Sequence, residues 1–414
     1  MSKLVTMANA VLSDMEKTYE KRVQLYKEFH QIPELSMQEY ETSKKIKELV
    51  KVMGLEPIEV GKTGVAVVLE NGEGAKVALR ADIDGLPMAE HSGKAYESDA
   101  KQTDEKTGNT TPVAHSCGHD VHIMGLIGAL EAFNSHKDAW SGTLIAIFQP
   151  GEECSGGAQS MIDNGLKDKI PLPDVYFGQH VLGVIPGAHV GTKPGAVFTT
   201  ASSIKIKLFA NGSHGSMPHL GIDPIVLAAH IILRLQFIVS REINPNEMAV
   251  ITVGRIDAGT KSNIIPDDAT LYLNTHAYNQ DVADKLHASI ERVVKGECEA
   301  SGCLKAPEIE YYDEYPLTLN DDEAYEQVSS AFDEYFGERH LKLPTQTASE
   351  DFSIIPDALG VPYCYCGIGG FKDYENAPGK HNPAFAPDIE CSLDTGMESL
   401  VVAACSSFVR DIQE

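Results

Sequence analysis

Basic residues are scarce in this chain. Lysine and arginine number 34 against 60 aspartates and glutamates, a net charge of −26 with histidine neutral. A field of that sign repels phosphate backbones and anionic lipid, which excludes nucleic acid and membrane surfaces as expected partners. Long apolar runs are also missing: no stretch of about 18 uncharged apolar residues is present to span a bilayer. Residues 1–17 mix Asp14, Glu16 and Lys17 into their apolar positions, where a secretion signal would have an apolar core. Cysteine is thin, eight in 414 residues with no dense or regular spacing. That pattern fits reduced thiols and a cytoplasmic protein better than a disulfide framework. Several catalytic signatures are absent too: H-E-x-x-H, a Walker loop, and a strand-linked G-x-G-x-x-G. Gly367-Ile-Gly-Gly370 is glycine-rich but lacks that fingerprint and reads as a close backbone turn.

What remains is globular. Hydrophobic residues make up 43% and charged residues 23%, values that exclude disordered, collagen-like and coiled-coil chains. The length suits two domains. Residues 4–29 carry a helical stripe, and Ser36 with Glu39 forms a capping-box signature opening a helix that stops at Gly54. Residues 65–69 and 77–81 read as strands around a turn at Asn71-Gly72. A helix over 121–133, a buried strand over 143–148, a helix over 157–164 and a strand over 174–177 follow. This alternation predicts an α/β layer with a largely parallel sheet.

Near residue 200 the pattern changes. Strands are expected at 203–209, 249–256, 269–277 and 308–312, with helices at 224–240 and 281–299. That order is β-α-β-β-α-β, the ferredoxin-like signature. After Pro316 the α/β pattern returns with a helix at 321–336, a strand at 361–366 and a helix at 393–409. The expected organisation is a catalytic domain in two parts, 1–197 and 315–414, with a small domain inserted at 198–314.

Chemistry concentrates in four places. The densest is His115-Ser-Cys-Gly-His-Asp-Val-His122, where a Cys-x-His pair lets thiolate and imidazole approach one metal. A polar loop entering a helix would carry the same residues. Strand 143–148 then runs into Gln149-Pro-Gly-Glu-Glu153, at the edge where parallel sheets build their sites. One carboxylate there can ligate a metal while its neighbour holds a proton from water, although paired glutamates also open solvated helices. Strand 175–177 ends in Gly178-Gln-His180, and Gly379-Lys-His381-Asn-Pro383 precedes the final helix. Each of these two histidines alone is an ordinary surface residue. Cys364-x-Cys366, flanked by Tyr363 and Tyr365, reads as core rather than a redox pair.

Arg80-Ala-Asp-Ile-Asp84 with Leu86-Pro87, His115-Ser-Cys-Gly-His-Asp120, Gln149-Pro-Gly-Glu-Glu153, Phe177-Gly-Gln-His180, His214-Gly-Ser-Met-Pro-His219, Asn263-Ile-Ile-Pro266, Ser349-Glu-Asp-Phe352 and His381-Asn-Pro383 occur in that order. Together they resemble the amidohydrolase branch of the M20 metallopeptidase family, over nearly the whole chain. The resemblance implies two divalent metals, zinc or manganese first and cobalt or nickel as alternatives. It implies Cys117 as their bridge, with His119, Glu153, His180 and His381 completing the shells. It makes Glu152 the general base and Asp82 a carboxylate that orients a ligand from behind. The inserted domain is similar to the family's lid and dimerisation domain, implying a homodimer or homotetramer. From it His214 would stabilise the oxyanion and Asn263 would bind substrate. Many relatives carry an arginine near the end of the strand over 271–277, where this chain has Asn274-Thr275-His276; either His276, as a neutral or protonated donor, or another residue would then hold the substrate carboxylate. The polar stretch 93–111 is expected to shape the pocket mouth.

The implied activity is hydrolysis of the amide of an N-acyl-amino acid by metal-activated water. A dipeptidase or carboxypeptidase would use the same site on a peptide bond. A metal-dependent binding protein would need neither Glu152 nor His214.

Overall fold

The structure is a computed structural model and describes residues 2–409. The chain divides into two units, one comprising Met1–Val197, Leu319–Thr345 and Asp351–Glu414, the other Phe198–Thr318 and Gln346–Glu350.

The first unit is built on an eight-stranded sheet. In chain order its strands are β1 (Pro57–Val60), β2 (Gly64–Asn71), β3 (Lys76–Asp82), β4 (Gly142–Gln149), β5 (Val175–Pro186), β6 (Val190–Thr192), β7 (His340–Lys342) and β8 (Tyr363–Phe371). Their spatial order is β1-β2-β4-β3-β5-β8-β6-β7. The pairs β3/β4, β3/β5, β5/β8 and β6/β7 are parallel, while β1/β2, β2/β4 and β6/β8 are antiparallel. The expected mostly parallel α/β sheet is therefore present. Every residue of β4 and β8 is buried, as strands covered on both faces require, and their apolar runs have no alternation for that reason. Helices His119–Ser135 and Ile389–Phe408 pack together over the sheet.

Register then sets the functional edge. Asp82 stands opposite Gln149 at the carboxyl ends of β3 and β4, and Arg80 stands opposite Gly178 of β5. Arg80, Asp82, Gln149 and His180 thus share one end of the sheet.

Local readings differ from the structure in five places. The stripe over 4–29 is two helices, Lys3–Val11 and Tyr19–His30, separated by turns. The capping box at Ser36 is not formed. Met37 turns the chain with φ 65°, Ser36 Oγ donates to Asp84, and the Glu34 carboxylate takes the Glu41 and Thr42 amides at the start of helix Tyr40–Val52. The strands flanking Asn71-Gly72 are no hairpin, because the fully buried β4 needs a partner on each edge and lies between them. Strand β5 continues to Pro186, so His180 projects from its interior rather than from a loop. Finally, Gly367–Gly370 lies inside β8, not in a turn. The close approach is real: a Cβ on Gly369 would stand 1.8 Å from the Pro186 carbonyl oxygen.

In the second unit, strands Thr200–Phe209, Ala249–Ala258, Asp268–Ala277 and Glu308–Tyr315 alternate with helices Pro224–Phe237 and Gln280–Ala300 in the order β-α-β-β-α-β. The sheet runs 249–258, 268–277, 200–209, 308–315, all antiparallel. Ile204, Ile206 and Leu208 face the helices while Lys205 and Lys207 face away, which is the period-2 signal of a half-buried sheet. Helix Pro224–Phe237 runs on into a π turn, Ile238–Glu242. By length and composition this segment alone, among the described residues, is apolar enough to cross a membrane, with 33% of it buried. Its apolar residues serve two faces: Leu227, Ile231 and Leu235 enter the core, and Val226, Leu233 and Phe237 are exposed.

The Gly369 contact supplies a test of the first unit's packing. Gly369→Ala should lower stability to urea by at least about 2 kcal/mol, the scale of overpacking against an unyielding backbone. An unchanged midpoint would contradict the β5–β8 approach.

Candidate metal centre

Two loops and two strands bring the candidate ligands together. Gly118 takes φ 86° at the start of helix His119–Ser135, so the chain reverses between Cys117 and His119 and turns both side chains inward. A Cβ at Gly118 would stand 2.3 Å from Val181 Cγ1. The helix begins at His119, two residues before the sequence pattern placed it. After β4, Gly151 at φ 58° leads into a single 3-10 turn, Glu152–Cys154. His381 has φ 62° and donates its backbone N–H to the Ser116 carbonyl at 2.9 Å, which fastens its loop beside Cys117.

The ligand atoms of Cys117, His119 and His180 lie within 4.8 Å of one another, and those of Cys117, Glu153 and His381 do the same. Cys117 belongs to both groups. Its Sγ is 3.5 Å from His180 Nε2, and His381 Nε2 is 3.2 Å from Glu153 Oε2. Glu152 joins His119 and Glu153 in a third group, its Oε2 3.9 Å from His119 Nε2.

Neighbouring groups set the ring orientations. His119 Nδ1 donates to the Asp84 carbonyl at 3.0 Å and lies 3.1 Å from Asp84 Oδ1. Asp84 Oδ2 accepts from Ser36 Oγ at 2.7 Å and from the Glu153 amide at 3.0 Å. Asp84 thus ties the Cys-Gly-His segment to the paired glutamates. Asp82, the expected orienting carboxylate, takes His122 Nδ1 at 2.5 Å and Arg80 at 2.7 Å, and lies 3.6 Å from His119 Nε2. His122 Nε2 accepts the Val181 amide at 2.9 Å. Arg80, fully buried, also donates to Gln149 at 2.9 Å and Asp351 at 3.1 Å. His180 Nδ1 donates to the Val181 carbonyl at 2.7 Å, turning Nε2 toward Cys117. Sequence reasoning assigned no role to Asp84 or His122. The two aspartates spaced by one residue at the end of β3 were the available signal.

The donor set fits a divalent cation. His119 Nε2 and Glu153 Oε1 are buried without hydrogen-bond partners and stand 3.8 Å apart, although each is costly to leave unsatisfied. Thiolate, imidazole and carboxylate together suit zinc and its neighbours. The electrostatics agree. Burial opposes charge on His119, but Asp82 and Cys117 outweigh it and hold the ring's pKa well above its usual value. Hydrogen bonds donated to Cys117 and Glu153 push His381 up to about 10. Burial also opposes charge on Asp82, yet Arg80 and His119 keep its carboxyl far below the ordinary range. His180 goes the other way, pushed down by burial. Both shifts come from neighbouring anionic ligand types, so the surroundings of His119 and His381 favour positive charge.

The remaining candidates lie in the second unit. His214 and Asn263 share one corner: Ser213–His214 pairs with Ile264–Ile265, and the Gly215 amide donates to the Asn263 carbonyl at 2.9 Å. His214 is exposed, and its Nδ1 accepts the Ser216 amide at 3.1 Å, which puts the proton of a neutral ring on Nε2. His276 Nδ1 sits 3.0 Å from Thr199 Oγ1 and 3.3 Å from Ser349 Oγ, with burial pushing its pKa down. In the first unit, the polar stretch holds a short strand pair, Lys101–Thr103 with Thr110–Pro112. Cys364 and Cys366 are buried with sulfurs 3.9 Å apart.

The sequence pattern of Peptidase family M20/M25/M40 matches residues 78–404. The chain is 32% identical over 380 residues to N-acetyl-L-cysteine deacetylase of Bacillus subtilis, covering 91% of this chain and 85% of that protein. It is 33% identical over 378 residues to hippurate hydrolase of Campylobacter jejuni, covering 90% and 92%. Among solved structures, the Bacillus subtilis YXEP protein, described as a dinuclear metal-binding peptidase of the M20 family, superposes with TM-score 0.77 at 26% identity, covering 95% of this chain and 99% of that one.

Metal uptake should be visible in stability. A divalent cation held at about 100 times its Kd adds about 2.7 kcal/mol per site, so zinc should raise the melting temperature and a chelator should reverse the rise. A melting temperature indifferent to both would contradict the fit.

Proposed function

The chain belongs to peptidase family M20/M25/M40, as a hydrolytic enzyme of its amidohydrolase branch acting on amide bonds, and we propose that its substrates are N-acyl-amino acids. The observation that carries the reading is the position of Glu152, a buried carboxylate beside His119 and Glu153 but outside both groups that share Cys117. Two divalent ions, zinc or manganese, would be held by Cys117, His119, Glu153, His180 and His381; when bound they supply Lewis acidity toward water and the scissile carbonyl.

The chain's own groups carry the protons. Glu152 takes one proton from the attacking water as its oxygen bonds to the acyl carbon, and returns it to the leaving nitrogen as the C–N bond breaks. An acyl carboxylate and a free amino acid result. Asp84 holds the His119 imidazole beside Glu152 in a fixed tautomer, and Asp82 does the same for His122, which keeps the base's surroundings preorganised. His214, with its proton on Nε2, is assigned to the oxyanion. Asn263 and a neutral His276 are assigned to the substrate's polar groups. The names of the relatives, an N-acetyl-L-cysteine deacetylase and a hippurate hydrolase, support acylated amino acids over peptides.

The second unit supports a homodimer. Val226, Leu233 and Phe237 are exposed on one helix, and Ala249–Ala258 is an edge strand; an apolar face beside an open edge favours a second copy. All eight cysteines are unpaired, in keeping with the reducing cytoplasm.

Two measurements test the proposal. The protein should turn over N-acetyl- or benzoyl-amino acids faster than dipeptides; the reverse preference would make it a dipeptidase. Glu152→Gln should keep its metal and lose at least about 100-fold in kcat; near-normal turnover would remove Glu152 as the base.

A further inference from the structure

His30, the last residue of helix Tyr19–His30, is buried and belongs to neither ligand group. Each of its ring nitrogens nonetheless faces a carboxylate. Nδ1 lies 2.6 Å from Asp120 Oδ2 and Nε2 lies 2.9 Å from Glu90 Oε1, with all three side chains no more than 1% exposed. Ionised carboxylates only accept, so both nitrogens donate and the ring is an imidazolium with two arms. Burial alone would push its pKa down, but the hydrogen bonds to Asp120 and Glu90 outweigh that and raise it to about 10. Tyr26 and Tyr96 pack around the ring, at 5.6 and 5.1 Å between centroids.

The arms lead to different ligands. Asp120 directly follows His119, and its Oδ1 accepts the Val121 amide at 3.0 Å in the first helical turn. Glu90 accepts from Ser92 Oγ and from the Ser98 amide. The next residue, His91, donates its amide to the Pro383 carbonyl at 2.7 Å, two residues beyond His381. Lys94, in the same segment, pairs with Asp388 at 2.8 Å and holds the far end of the His381 loop.

We infer that His30 is a positioning residue that sets the spacing between the group Cys117, His119 and His180 and the group Cys117, Glu153 and His381, holding the first through Asp120 and the second through Glu90. The inference rests on the metal-dependent reading above. A brace of this kind acts on metal affinity before it acts on catalysis: groups that hydrogen-bond a ligand directly are worth about 10- to 100-fold in binding, and one that holds the adjoining backbone acts toward the lower end.

The test is a two-step titration of the metal-free, full-length protein with zinc against a competing chelator. His381→Ala and His180→Ala identify which step belongs to which group. Glu90→Gln should weaken the His381 step about 10-fold or more and spare the other. Asp120→Asn should do the opposite, and His30→Gln should weaken both. If His30→Gln does not fold, the two isosteric variants carry the same test. Variants that melt earlier but keep both wild-type affinities would make His30 a brace of the fold only and overturn the inference alone. A wild-type chain that binds no zinc would overturn it together with the reading beneath it.

Discussion

Buried negative charge is the constraint on which this structure depends. Asp82, Asp84, Glu90, Asp120, Glu152 and Asp351 are all buried at one end of the first unit's sheet or in the loops around it. An uncompensated carboxylate in such surroundings costs several kcal/mol. Arg80 answers for Asp82 and Asp351, and His30 answers for Glu90 and Asp120. Asp84, Glu152, Glu153 and Cys117 stand around His119 and His381; Asp82 and Cys117 push the first ring toward its positively charged form, and Cys117 and Glu153 the second. Supplying that charge as cations, rather than as protons on ligand nitrogens, converts an electrostatic cost into a binding site.

The same constraint explains the rigidity of the surroundings. Each ring nitrogen of His122 and His30 has a partner fixed by backbone or by a buried carboxylate. Asp84 alone receives Ser36, His119 and the Glu153 amide. A site tied at so many points loses little freedom on loading, and the glutamate beside it works in a preorganised polar environment. Glycines complete the fit where nothing larger can enter, Gly118 against Val181 above all.

Much of this was readable from the chain, for particular reasons. Cys117-Gly-His119 and Glu152-Glu153 are compact, chemically unusual and placed by strands whose apolar runs are plain, so both the sheet and the local clusters could be anticipated. The β-α-β-β-α-β order was visible through the alternation Ile204-Lys205-Ile206-Lys207-Leu208. What escaped depends on long-range pairing. The insertion of β4 between β2 and β3 leaves no local trace, since Asn71-Gly72 makes an equally good hairpin. Strand β5 hides its true end because it is buried on both faces and never alternates. Asp84 and His30 act on residues 35 and 90 positions away, a distance no spacing rule covers.

The central proposal is that Cys117, which belongs to both ligand groups, would be shared by two cations. Crystals of the zinc-loaded protein, measured at the metal's absorption edge, test it most directly. The account predicts two anomalous peaks, both within about 2.3 Å of Cys117 Sγ, one also touching His119 and His180 and the other Glu153 and His381. A single peak, or two peaks of which either lies away from Cys117, would contradict it.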